Sequence, residues 1–174
     1  MSLRDAEFSV LRQTIASRGT VRMALLPVTL IAWGVLATLV LGYTVIQPLA
    51  ALFPLAILTA GFEAIHALHV GVERIGRYLQ VFYEEGAGDP RWETTAMAVG
   101  PALPGGGVDP LFTGVFVAAV VLNLLPALLT RPPAGALVVL GVLHTAFVVR
   151  VLRARIAAAR QRAVELESFR ALRS

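Results

Sequence analysis

PLAALFPLAILTAGFEAIHALHVGVERIGRYLQVFYE, residues Pro48–Glu84, begins as an apolar run and ends as a periodic polar helix, and that transition decides the fold. The apolar part, Pro48–Phe62, leads directly into Glu63-Ala-Ile-His66-Ala-Leu-His69. Polar residues then recur at Glu73, Arg77, Gln80 and Glu84, in steps of three and four. That spacing places them on one face of one helix, since side chains three and four apart lie above one another. No breaker interrupts the pattern. The sequence therefore predicts one long helix that leaves the membrane near Val70–Arg74 and continues through an extension at 70–85.

Three further apolar runs flank this stretch: Met23–Tyr43, Leu111–Thr130 and Ala134–Val149. Hydrophobic residues make up 57% of the chain and charged residues 15%, against roughly half and a quarter in soluble domains. A bilayer accommodates such a surplus, because a span needs about 20 apolar residues to cross about 30 Å of hydrocarbon. The expected fold is all-α and polytopic: four transmembrane helices in two hairpins, spans two and four extended into the cytoplasm, and an N-terminal amphipathic helix. Segment 1–22 then precedes a membrane domain at 23–150, which includes a loop at 86–110, and 151–174 forms a C-terminal cytoplasmic helix.

Arginine supplies all 15 basic residues, and fourteen of them fall in the N-terminal tail, the long connection after span two and the C-terminal tail. Only Arg131 lies in the turn between spans three and four. Cationic residues accumulate on the cytoplasmic side, so both termini are expected there, as an even number of spans requires. The same rule explains the sequence pI near 10.6 without nucleic acid. The absence of lysine, with abundant Ala, Gly and Pro, points to a GC-rich bacterial coding bias and hence a bacterial cytoplasmic membrane. No cleavable signal peptide is expected, since the first apolar run follows a 22-residue polar segment and is long enough to remain as an anchor. The chain has no cysteine, which excludes disulfides, thiolate ligands and cysteine nucleophiles.

Local signals refine the outline. Ser2-Leu-Arg-Asp5 reads as a helix start, and Phe8, Leu11 and Ile15 follow at helical spacing, for a helix that lies on the membrane interface or packs on the loop. Gly19 is expected to end it. Gly34, Thr38 and Gly42 in span one, and Ala56, Ala60 and Ala64 in span two, form rows of small residues that suit a tight hairpin. Span two begins either at Pro48 with a kink or at Pro54 after a re-entrant piece; proline is comfortable only in a first turn. Asp89-Pro90 reads as the start of a short helix through Trp92 to Val99, and Gly105–Gly107 as a hinge in the loop that follows. Beyond span four, Val149, Leu152, Ile156, Ala159, Ala163 and Leu166 repeat at three and four, a seam for a short coiled coil or for docking on the span-two extension.

Chemistry concentrates on the polar stripe Glu63, His66, His69 and Glu73, with Asn123 in span three and His144 in span four. Ionisable groups inside a span are costly and face a bundle interior or a wet cavity. Four readings stay open. The stripe is polar packing that holds helices or subunits together. It is a proton or ion pathway, since imidazoles relay protons near neutral pH. Glu63, His66 and His144 hold a metal ion. Or His144 pairs with His66 or His69 across a haem. Glu63-Ala-Ile-His66 has the spacing of di-iron bundles, but the other spans lack the carboxylates such a site requires. Nucleotide-binding and hydrolase motifs are absent. The leading expectation is a non-enzymatic membrane protein that self-associates or joins other membrane subunits, with cytoplasmic helices that bind a partner and no cofactor. A small channel or transporter and a metal or haem redox subunit are the alternatives.

Overall fold

The computed structural model describes residues 2–44, 47–86, 91–99 and 109–174, and these are helical throughout their regular elements. Helix α1 (Leu3–Thr44) is followed by a 3-10 turn (Pro48–Ala51), α2 (Leu52–Leu79), a π-helical turn (Gln80–Glu84), α3 (Trp92–Val99), α4 (Thr113–Leu129) and α5 (Ala134–Arg173). Three helical stretches are long and apolar enough to cross a membrane: Leu3–Gly42, Pro48–Glu84 and Ala134–Arg173. The expected third span, α4, is a shorter apolar helix of 17 residues, about 25 Å at 1.5 Å per residue. The Asp89-Pro90 start and the Gly105–Gly107 hinge lie outside the described residues.

Two expected boundaries move. Gly19 does not end the first helix; α1 continues through it and through Pro27. A mid-helix glycine costs only about 1 kcal/mol relative to alanine, and proline inside apolar helices is tolerated where neighbouring helices support the chain. The separate N-terminal helix is thus the first part of α1. The start of span two is settled by its two prolines: Pro48 opens the 3-10 turn, and Pro54 sits in the first turn of α2, where its missing N–H is harmless.

The chain forms two compact units. The first comprises Met1–Val21, Ala67–Pro110 and Ala157–Ser174; the second comprises Arg22–His66 and Leu111–Ile156. The second unit is built on Phe62, fully buried on α2. Its ring meets Phe116 of α4 edge-on at 5.3 Å and Phe147 of α5 at 5.9 Å. Leu55, Leu58, Ile65, Val120 and Val151 complete this core. In lipid such packing gains from dispersion and ring geometry, since the surrounding chains are equally apolar.

The helix contact in this unit differs from the expected small-residue hairpin. A Cβ at Gly34 or Gly42 would meet nothing within 4 Å, and Ala56, Ala60 and Ala64 are exposed. The close approach is instead at Gly61, where a Cβ would overlap the side chain of Thr29, itself 5% exposed. The large residues Leu55, Leu58, Phe62 and Ile65 turn inward and fix the face of α2, so its alanine row is carried outward. The seam along α5 is divided: Val149, Leu152, Ile156 and Ala163 are exposed, whereas Leu166 is buried, and the inward residues of α5 in this unit are Phe147, Val151 and Ala154.

The first unit is held by aromatic rings and ion pairs. Tyr78 packs on Phe82 at 4.7 Å and on Phe169 of α5 at 5.9 Å, and Phe8 of α1 meets Tyr83 at 5.4 Å. Phe8, Leu11 and Ile15 are half-buried, Phe8 against Tyr83. The Glu7 carboxylate accepts hydrogen bonds from both Tyr78 and Tyr83, at 2.9 and 2.6 Å.

Candidate functional site

The second unit contains a hydrogen-bond network centred on Asn123, which is 5% exposed. The amide nitrogen donates to the carbonyl of Ala51 at 2.8 Å and to Nε2 of His144 at 3.0 Å. Its oxygen accepts from the indole N–H of Trp33 at 3.2 Å. His144, 2% exposed, donates from Nδ1 to the carbonyl of Leu140 one turn earlier, at 2.8 Å. A carbonyl only accepts, so the proton lies on Nδ1 and Nε2 is left to accept from Asn123: a neutral imidazole in one tautomer. One asparagine thereby joins α1, the 3-10 turn, α4 and α5, with both amide protons and the amide oxygen engaged.

Glu63 and His66 form a second, separate group. Arg150 of α5 donates to the Glu63 carboxylate at 2.7 Å and to Nδ1 of His66 at 3.3 Å. Its guanidinium also lies 5.8 Å from the centre of the Phe62 ring, on which His66 stacks. The expected metal set of Glu63, His66 and His144 is not assembled. Arg150 occupies the place against Glu63 and His66, while both nitrogens of His144 are engaged elsewhere. Among the described residues no three His, Asp or Glu side chains are grouped to hold a metal ion. His66 is committed to Arg150 and His144 to Asn123 and Leu140.

The remaining stripe residues belong to the first unit. His69 is buried at 5%. Glu73 pairs with Arg77 at 3.2 Å, the i,i+4 step its spacing suggested. Arg77, 7% exposed, also reaches Glu165, a carboxylate that accepts from Arg74 at 3.2 Å and from Gln161 at 2.7 Å as well. Glu84 accepts the backbone N–H groups of Glu93 and Thr94 at 3.1 and 2.8 Å, and the Thr94 hydroxyl at 2.9 Å. These are the unpaired donors of the first turn of α3, so Glu84 caps that helix from a different element. Arg12 of α1 closes the group on Glu84 at 3.3 Å and on Glu93 at 2.6 Å. Burial raises the Glu93 carboxyl above its ordinary range; the Arg12 charge opposes this without cancelling it.

The stripe is thus divided among several partners rather than joined into one path. The residues that complete it, Arg150, Glu165, Trp33 and Arg12, carried no local signal of their own. Comparison with protein families, with curated proteins and with solved structures gives no match.

Proposed function

We propose that the chain is a non-enzymatic integral membrane subunit of four helices, both termini cytoplasmic, which self-associates or joins a larger membrane complex and offers its first unit to a cytoplasmic partner. The observation that carries this reading is the closure of the Asn123 network. In the apolar unit the strongest polar residues are satisfied by one another, in the manner of hydrogen bonds that hold membrane helices together. A conducting path requires groups that exchange protons with water or with each other, and Glu63 is tied to a guanidinium instead.

The four-span topology rests on parity. Arg4 donates to the carbonyl of Phe82 at 2.7 Å, Arg12 pairs with Glu84, and Arg170 pairs with Glu85 at 2.6 Å. These contacts within the first unit join the N-terminal, middle and C-terminal segments, which must then share one side of the membrane. A chain that leaves that side along α1 returns along α2; if it returns again along α5, it has left along α4. The 17 residues of α4 span by local thinning of the bilayer, at a fraction of a kcal/mol per Å of mismatch. The arginine distribution names the shared side as the cytoplasm.

The native chain lacks cysteine, so single cysteines report topology cleanly. Cysteines introduced at Ser2, Glu85 and Ser174 should react with an impermeant maleimide only in inverted vesicles, and one at Arg131 only in intact cells. Labelling of Glu85Cys and Arg131Cys from the same side sinks the topology. For function, liposomes containing the purified chain should acidify no faster than empty ones under a pH gradient. Flux above that background that disappears in Glu63→Gln refutes the scaffold reading in favour of conduction.

A further inference from the structure

The first unit encloses a half-open cavity of about 180 Å³, with Glu73, Arg77, Gln80, Trp92, Glu93 and Arg162 among its walls. At about 30 Å³ per water it has room for about six waters, or for a molecule of comparable size. Five elements contribute to it: α1 through Ile15, α2, the π-helical turn through Gln80, α3 and α5.

The charges around it divide unevenly. Arg74, Arg77, Glu73 and Glu165 form a neutral set of two cations and two anions. Among the described residues Arg12 alone pairs with both Glu84 and Glu93, one cation for two carboxylates. Glu93 meets Arg12 through Oε1, and among the described residues its Oε2 accepts no hydrogen bond. Arg162 is half-buried and, among the described residues, makes no ion pair; burial and the like charge of Arg77 weaken its hold on its proton, and Glu73 and Glu93 oppose them. Gln80 is 8% exposed, and its side-chain amide makes no hydrogen bond among the described residues. The Gln80 amide is open to the interior of the cavity, while the Nε of Arg77 on the same wall is buried without a hydrogen-bond partner among the described residues.

We propose that this cavity binds a small zwitterion of about five to seven non-hydrogen atoms, its carboxylate on Arg162, its ammonium on Glu93 and its polar atoms within reach of the Gln80 amide. A lone anion would face Glu73 and Glu93, and a lone cation would face Arg77 and Arg162. A zwitterion meets both unsatisfied charges and leaves the local sum unchanged. Trp92, 70% exposed, stands at the rim of the cavity and supplies an apolar face against the linking carbons.

The test uses the full chain in detergent, titrated with glycine, β-alanine and γ-aminobutyrate, and followed by tryptophan fluorescence and by calorimetry. Acetate and methylammonium serve as single-charge controls. At least one zwitterion should bind saturably, about tenfold or more tighter than either control, equivalent to about 1.4 kcal/mol. Arg162→Gln should weaken that binding about tenfold or more, and Gln80→Leu should weaken it as well, with elution volume and circular dichroism unchanged. Failure of all three zwitterions to saturate overturns the proposal, as does acetate binding equally well or Arg162→Gln binding as tightly as the native chain. If the variants misfold, the selectivity of the native chain over acetate and methylammonium decides alone.

Discussion

Replacement of Asn123 by leucine, similar in volume but without hydrogen-bonding groups, tests whether the network on that residue holds the apolar helices together. The change removes three side-chain bonds: to the Ala51 carbonyl, to His144 Nε2 and from the Trp33 indole. Side-chain hydrogen bonds between membrane helices average about 0.6 kcal/mol and reach about 1.7, which gives about 2 kcal/mol for the three together. The imidazole and the indole N–H also lose their partner, and orphaned buried groups raise the loss further. The expected total is about 2–3 kcal/mol, a shift of about 30- to 150-fold in the folding equilibrium at 1.4 kcal/mol per tenfold. Reversible unfolding in mixed micelles measures it, with Trp33 emission as a local reporter. A double-mutant cycle with His144→Phe should show a coupling of about 0.6–1.7 kcal/mol. Asn123→Asp should be at least as damaging as leucine, because a carboxylate cannot donate to the Ala51 carbonyl or to Nε2. A loss below about 0.5 kcal/mol for leucine, the range of an indifferent surface change, with no coupling to His144, would refute the reasoning.

The two glycine environments predict opposite signs. Gly61→Val should destabilise by about 1–3 kcal/mol through overpacking against Thr29, whereas Gly34→Ala and Gly42→Ala should be neutral or stabilising by up to about 1 kcal/mol; equal effects in the same unfolding assay count against the Thr29 contact. Glu165→Ala leaves the buried Arg77 with Glu73 alone and should cost about 3–5 kcal/mol, the penalty for breaking a buried pair; a loss within that of Arg74→Ala alone contradicts it. Because the folded Glu93 carboxyl is raised, its contribution is fully present below the ordinary glutamate value of 4.5 and is lost as pH rises through the raised value. Unfolding midpoints should therefore fall across that window in the native chain and flatten in Glu93→Gln, and parallel curves for the two proteins rule the linkage out.

Periodicity made the broad fold legible. The steps of three and four from Glu63 to Glu84 read correctly as one continuous helical path, because that pattern depends only on local geometry. Glu73–Arg77 was readable for the same reason. Partners set by tertiary packing were not. Nothing near Glu84 in sequence indicates that it caps α3, and a search for a local cap stops at Asp89. The small-residue rows misled because alanine and glycine are common in this chain, and a four-residue match on either face arises readily by chance. Which face turns inward was fixed by Phe62 and its leucine neighbours, whose size only matters once the opposing rings of Phe116 and Phe147 are known. Nor does sequence order reveal that Arg150 reaches Glu63 and His66 while His144 turns to Asn123.

The π-helical turn Gln80–Glu84 bears on how this chain tolerates insertion and deletion. Its closing bond runs from the amide of Glu85 to the carbonyl of Gln80, five residues back instead of four, at 2.9 Å. The turn therefore holds one residue more than an α-helix of the same length would. Five residues closed by such a bond turn through about the arc that four cover in an α-helix, about 400° at 100° each. The turn thus absorbs a surplus residue and keeps Glu84 on the amides of α3 and Glu85 on Arg170. Loss of one residue at 80–83 would leave a regular α-helix with both contacts in reach, whereas loss of one residue from the α-helical stretch at 67–79 would swing both by about 100° and unlock α3 and the end of α5 together.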